Sequence, residues 1–509
     1  MNTNNAKKIS ITNPELNGIE PIAEQERNAS VFDFLRLQWG GANTLSSAML
    51  GSFPIIFGLS FYQALAATMT GIFIGALILA PMGIFGPNTG TNNAVSSSAH
   101  FGVVGRIVGS FLSLLTAICF FSLSVWSSGD ALVGAICRII DAQPNEWMFA
   151  IAYGVFAVSV LVICIYGFQF MLLINKIAVT LATVVFAVGF FAFGDQFHAG
   201  FAGAGMHMGD AGFWATFIGA TLIVMSNPIS FGAFLGDWTR YLPSQTSRIK
   251  IILATLLAQG FTLLPFIFGL VTTAIIAEKT PEFITSMNYT GGLLTVSPSW
   301  FFLPLILLAL IGGMSTGTTS LYGTGLDFSS VFPGLSRIKA TILIGLLSIM
   351  IIFVGRFAFS LVASVTTLVT LIIVTTTPWM VIMTIGYITR RGFYLKDDLQ
   401  VFNRGQRGGT YWFYHGWNLR GMFAWIPSAA IALMTVNIPG QFVGPLGDLA
   451  NGIDVSLIVA LLLPAITYPI LLLAFPEPAE VYGPSGALLD STSNMENKGT
   501  WQTETGVEL

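Results

Sequence analysis

Trp39-Gly40-Gly41-Ala42-Asn43-Thr44 interrupts an otherwise apolar run that extends from about residue 34 to 58. Two glycines cost a helix roughly 2 kcal/mol relative to alanine, and an asparagine follows them. A run long enough to cross a bilayer as a helix, which takes about 20 apolar residues, thus carries its weakest winding near its middle. Met225-Ser226-Asn227-Pro228 interrupts a second apolar run, about 213 to 236, with a proline that removes a backbone donor and clashes with the preceding turn. Singly, each is as well explained by an ordinary packing kink. Together, five segments apart, they match transporters built from inverted repeats, in which corresponding broken helices expose backbone groups to substrate and ion near the midplane.

The rest of the chain agrees with a membrane setting. Of its 509 residues 54% are apolar and only 9% charged, against roughly 25% charge in soluble domains. Mean hydropathy is +0.76 and stays high from about residue 33 to 475. Twelve candidate segments follow: 34 to 58, 60 to 86, 107 to 138, 147 to 167, 169 to 194, 213 to 236, 249 to 277, 300 to 324, 338 to 355, 358 to 388, 421 to 437 and 453 to 475. With the amino terminus inside, 17 of the 21 Lys and Arg residues fall on the inner side, as cytoplasmic loops require. Arg138, Lys279 and Arg356 fall outside, and Lys176 lies within a span. The polar first thirty residues lack the apolar core of a cleavable signal. The expectation is twelve helices with both termini cytoplasmic.

Several functions are excluded or made remote. A net charge of −3 and a pI near 5.8 give no basic surface for nucleic acid. Cys119, Cys137 and Cys164 sit in apolar runs at spacings that suit neither zinc nor disulfides, and read as small buried hydrophobes. No metal site, cofactor motif or ATP-binding loop is evident. His100, His198, His207 and His415 lie in loops or at ends, far apart in sequence, so a membrane-embedded enzyme is not expected. The aromatic and basic loop 390 to 420 suits the inner lipid headgroups, and the Gly71 to Gly75 spacing suits close helix packing.

Two other segments carry polar groups in unusual places. In the third, Trp126 and Asp130 are four residues apart and share a helical face. An intramembrane carboxylate costs about 2.5 to 3.5 kcal/mol on insertion scales and therefore faces a cavity or a partner. Asp33, Asp237 and Asp327 sit at segment ends, where solvation or a neighbour such as Arg36 or Arg240 accounts for them. The eighth carries Gly312-Gly313-Met314-Ser315-Thr316-Gly317-Thr318-Thr319-Ser320, a hydroxyl cluster of the kind that can hold a desolvated small cation or simply bond back to its own helix. Thr375-Thr376-Thr377-Pro378 in the tenth reads as a kink rather than a ligand set.

These residues resemble the nucleobase:cation symporters, the purine and cytosine permeases, and in particular the branch with fungal cytosine/purine permeases and their bacterial relatives. Asn17-Gly18-Ile19-Glu20-Pro21 resembles that branch's pre-membrane signature, and Trp39-Gly40-Gly41-Ala42-Asn43 its first-helix motif. Asp237-Trp238-Thr239-Arg240-Tyr241, Ser320-Leu321-Tyr322, Tyr411-Trp412 and Gly416-Trp417-Asn418 are similar to further family stretches. The resemblance covers roughly residues 17 to 475. It implies an all-α membrane fold: a five-plus-five inverted repeat (LeuT-like), helices one and six discontinuous, with two extra C-terminal helices. By position it implies that Trp126 stacks on a flat substrate and that Gly41, Asn43, Ser226 and Asn227 line the same site. Where the family usually has an amide, this chain has Asp130, which suits a substrate that is cationic or rich in N–H donors. Ser315 and Thr316 match the family's sodium-ligand hydroxyls, beside backbone carbonyls near Gly41.

The expected organisation is a cytoplasmic segment 1 to 32, a transporter domain 33 to 475 (repeats about 34 to 194 and 213 to 388, extra helices about 421 to 475) and a disordered cytoplasmic tail 476 to 509. The expected function is import of a nucleobase or related nitrogen heterocycle (purine, cytosine, allantoin-like or vitamin-like) with Na+ or H+ by alternating access across the plasma (inner) membrane. The alternatives are an exporter or exchanger of the same fold for a cationic heterocycle, or a channel. The expected partners are a small-molecule substrate and membrane lipid.

Overall fold

The computed structural model describes residues 20–210, 212–332, 334–358, 361–438 and 442–489. Among them, ten helices are long and apolar enough to cross a membrane, and Leu45–Ile56 and Leu419–Met434 are shorter apolar helices. A small antiparallel pair, Asn437–Ile438 with Phe442–Val443, joins the last two segments.

The first segment is two helices, Val31–Ala42 and Leu45–Ile56. Ser30 starts the first with a capping box: its hydroxyl accepts from the Asp33 N–H at 3.0 Å while the Asp33 carboxylate accepts the Ser30 N–H at 3.1 Å. Arg36 holds the same carboxylate at 2.9 Å, so Asp33 has the neighbour anticipated for it. The two glycines stay helical, and winding is lost at Asn43 and Thr44, after which the Thr44 side chain caps the second helix.

The sixth segment departs from its expected break. Its helix Phe213–Ser230 runs through Asn227 and Pro228 and unwinds three residues later, at Phe231 to Phe234, before Leu235–Thr239 resumes. Proline removes a single bond of the helical ladder, that to the Val224 carbonyl, and the helix continues past it; the Ser226 and Ser230 hydroxyls each donate to the carbonyl three residues back, at 2.6 Å. The second segment lies along this helix. A Cβ on Gly71 would stand 2.6 Å from the Thr221 carbonyl, and one on Gly75 would overlap Pro228, so only glycine permits the approach.

The long third and eighth segments, Ile107–Ile140 and Phe302–Val331, pack against each other through the centre. The tenth segment, Leu361–Thr389, passes Pro378 without a break in helix. Asp237 and Asp327 are fully buried rather than solvated. Asp327 accepts from the Ser113 hydroxyl and, at 3.4 Å, from Asn92.

At the end where the described chain starts and finishes, polar groups are buried more deeply than composition suggested. Arg27 donates to the carbonyls of Ile22 and Pro87 at 2.9 and 3.0 Å. The 390 to 420 loop is partly core: Arg390 and Tyr411 are buried, while Tyr414 remains exposed. Of the residues expected in a disordered tail, Glu477, Val481 and Tyr482 are buried, and the Leu488 N–H donates to Thr389 O at 3.0 Å. Glu477 is buried, pairs with Arg390 at 2.8 Å and accepts from Asn418 at 2.7 Å. The tail from residue 490 and the first nineteen residues, with most of the pre-membrane signature, lie outside the described residues.

Candidate functional site

The last helical turn before the first break meets the break of the sixth segment. A Cβ on Gly41 would stand 3.6 Å from the ring of Phe231, at the break of the sixth segment, and 3.3 Å from the Thr319 hydroxyl of the eighth. Beside this contact the last turn of Val31–Ala42 offers its carbonyls to the eighth segment: Ser315 Oγ donates to Gly40 O at 3.0 Å and Thr316 Oγ1 to Gly41 O at 2.7 Å. Carbonyls near the end of a helix lack intrahelical partners, which is why a broken helix can present them. Gly41, Ser315 and Thr316 are therefore brought together, and all are buried.

Asn175 of the fifth segment joins them and was missed in the sequence. Its Nδ2 donates to Ser315 Oγ at 3.0 Å and to Leu37 O at 3.3 Å. The available signal was an amide in the apolar run Met171 to Ile177, overshadowed by Lys176 beside it.

Several buried amides have unmet hydrogen-bonding capacity. Asn43, at the first break, donates to the Thr183 hydroxyl at 2.9 Å, and its Oδ1 has no partner. Asn227, in the turn before the sixth break, is buried with its Nδ2 unpartnered. Gln38 and Gln259, on helices that pack together, are fully buried with neither amide atom bonded. An unsatisfied buried polar group costs about 1–3 kcal/mol, so a ligand that met the open acceptor of Asn43 or the open donor of Asn227 would recover that cost. The Ser226 hydroxyl, in contrast, is spent on the Ile223 carbonyl.

Trp126 and Asp130 do share a face, but that face is turned to the fourth and ninth segments. The Trp126 indole N–H donates to Ile352 O at 3.2 Å, and its ring lies against Gly355. Asp130 accepts from the Tyr153 hydroxyl, which in turn accepts from Arg356 Nε at 3.1 Å. The neighbouring position, Ser127, is the one that meets the first segment, by a 2.7 Å bond to Ser46. Asp130 and Arg356 line a cavity of about 1140 Å³ with Met49, Phe149, Tyr289 and Arg138, at the end where the third and ninth segments finish.

With this geometry in hand, the likenesses to other proteins are informative. Residues 21–459 match the family described as permease for cytosine/purines, uracil, thiamine, allantoin. The chain belongs to this permease family. It is 25% identical over 467 residues to the putative purine-cytosine permease YxlA of Bacillus subtilis (strain 168), covering 89% of this chain and 95% of the relative. It is also 25% identical over 310 residues to the vitamin B6 transporter TPN1 of Saccharomyces cerevisiae, covering 57% and 50%. Among solved structures, Mhp1, a nucleobase-cation-symport-1 family transporter, in a closed conformation with bromovinylhydantoin bound, superposes with a TM-score of 0.69 at 19% identity, over 93% of this chain and 98% of that one. An inward-facing conformation of Mhp1 gives 0.66 at 18% identity, over 95% and 98%. The permease is thus an integral membrane protein of the inverted-repeat, LeuT-like fold, a transporter and not an enzyme.

Proposed function

We propose that this permease carries a nucleobase or related small nitrogen heterocycle together with a cation, by alternating access across the plasma (inner) membrane, both termini facing the cytoplasm. The observation that carries the reading is the approach of Gly41, in the last turn before the first break, to Phe231 at the sixth break, beside carbonyls bonded by Ser315 and Thr316. A flat heterocycle presents donors and acceptors around its rim, and the unpaired amides of Asn43 and Asn227 supply an acceptor and a donor for them. Gly41 and Ser226 complete the lining, glycine by leaving room. The cation belongs with Gly41, Ser315 and Thr316, whose neutral oxygens suit weak, reversible capture. Asp130 attracts N–H-rich substrates into the cavity it lines. Trp126 stacks on the ring only when its indole gives up the Ile352 carbonyl, which makes stacking a step of closure.

Uptake of labelled cytosine, purines, allantoin and pyridoxine in a strain without its own carriers tests the reading. Saturable uptake with counterflow is expected, lost in Asn43→Ala and Asn227→Ala. Normal uptake by both variants at normal surface levels would remove the assigned site.

A further inference from the structure

The Asn175 side chain is fully buried, and its Oδ1 has no hydrogen-bond partner. Its Nδ2 is engaged by Ser315 Oγ and Leu37 O. The last turn of Val31–Ala42 makes room for it, because a Cβ on Gly40 would overlap the Asn175 amide. A glycine is thus used to admit a polar group that then leaves half of its capacity unused. Leu37 O, Gly40 O, Ser315 Oγ and the Asn175 amide are linked by bonds of 3.0 to 3.3 Å, and the 2.7 Å bond from Thr316 Oγ1 to Gly41 O lies one residue on along both helices. Among the described residues no Asp, Glu or His hydrogen-bonds to any of them. Such a set has no carboxylate or imidazole to carry a proton. It has what a small hard cation needs after shedding water, namely several neutral oxygens, and too little negative charge to favour a divalent ion.

We propose that Asn175 is a ligand of a sodium-class monovalent cation site formed with Gly40, Gly41, Ser315 and Thr316, its amide turning over as the ion comes and goes. The terminal torsion of an asparagine is broad and roughly two-fold, so a half-turn exchanges Nδ2 for Oδ1 beside Ser315 and Leu37. In one orientation the amide protons occupy the oxygens. In the other, Oδ1 adds to the oxygen set and its unmet capacity is used. Because Asn175 stands on the fifth segment and its partners on the first and eighth, the ion would join three helices, two of which also meet at the turn before the first break. The inference deepens the function proposed above and rests on it for the role of the ion, but the site itself can be read independently.

The experiment is a thermal-shift titration of the purified full-length protein with sodium, potassium and choline chlorides at constant ionic strength, with and without the best heterocycle from the uptake panel. Binding stabilises by mass action. The wild type is expected to respond to sodium and not to choline. In Asn175→Leu the sodium concentration for half the shift should rise by about tenfold or more, while the melting temperature in choline stays near that of the wild type. Asn175→Asp should retain the sodium response and make it fall with acid pH, since a carboxylate can now take a proton in place of the ion. If Asn175→Leu does not fold, Asn175→Ser carries the test with the same expected weakening. A sodium titration unchanged in Asn175→Leu would reduce Asn175 to a strut and overturn the inference. So would a wild type that answers to pH but not to sodium, although heterocycle transport would then still stand. A sodium response lost in Asn175→Leu, in a protein that binds no heterocycle, would support the ion site and sink the substrate reading instead.

Discussion

The Thr316 hydroxyl donates to the Gly41 carbonyl at 2.7 Å, tying the eighth segment to the last helical turn before the first segment breaks. Residues separated by 275 positions thereby meet at a place where the backbone has carbonyls to spare.

Thr316→Val keeps the shape and removes the donor. It should destabilise the protein by about 1–3 kcal/mol, because a buried carbonyl is left without its bond. The cation concentration for half-maximal uptake should also rise by about tenfold. Melting curves and ion-dependent uptake on the same preparation check both parts, and an unaltered ion dependence would take Thr316 out of the ion site.

Asp130 lines the cavity at the end where the third and ninth segments finish and is held by the Tyr153 hydroxyl, not by the broken helices. Asp130→Asn should therefore act on capture: KM rising about tenfold with the maximal rate altered by less than about twofold. Initial-rate kinetics with a neutral and a cationic heterocycle separate the cases, with the larger loss for the cation.

His100 is buried outside the spans, with Nε2 2.8 Å from the Tyr394 hydroxyl. Burial, reinforced by the Arg390 charge, holds its imidazole well below the ordinary 6.5. Unfolded chains take up that proton first as the pH drops, so stability is fully present above about pH 6.5 and declines as acidity increases towards the lower folded value. His100→Gln, which can keep a bond to Tyr394, should flatten the acid side of a melting-temperature profile between roughly pH 7 and 5. An equally steep fall in the variant would point to another group.

Glu477 and Arg390 form a pair with side chains 1% and 0% exposed. Burial opposes the Arg390 charge, but the Glu477 carboxylate together with Tyr468, Tyr411 and Tyr394 outweighs it and raises the guanidinium further above its usual range. Glu477→Leu strands that cation and should cost about 3–5 kcal/mol, read as a large drop in melting temperature. The double variant Glu477→Leu with Arg390→Met should recover much of it.

Part of this was visible in the chain alone. Gly40-Gly41-Ala42-Asn43 marks the first break because propensity there is a local matter, and the hydroxyls of Ser315 and Thr316 stood out in an apolar run. The sixth break slipped from Pro228 to Phe231 because a proline removes one bond of the ladder without ending a helix that is otherwise well packed. Four-residue spacing put Trp126 and Asp130 on one face, but which neighbour that face meets depends on how the ninth segment docks, a long-range fact. Glu477 looked like tail because its partner lies 87 residues earlier. Asn175 became meaningful only when Gly40 and Ser315 were seen on either side of it.

Gly71 and Gly75 press the second segment so closely onto Thr221, Met225 and Pro228 that the two helices share one seam. A sliding joint needs side-chain room, and this seam has none. The second and sixth segments should therefore swing as a single lever, with the unwound residues after Ser230 as its fulcrum. Spin labels on the outer faces of the two helices would keep their separation through a transport cycle, while either one measured against the third segment would not.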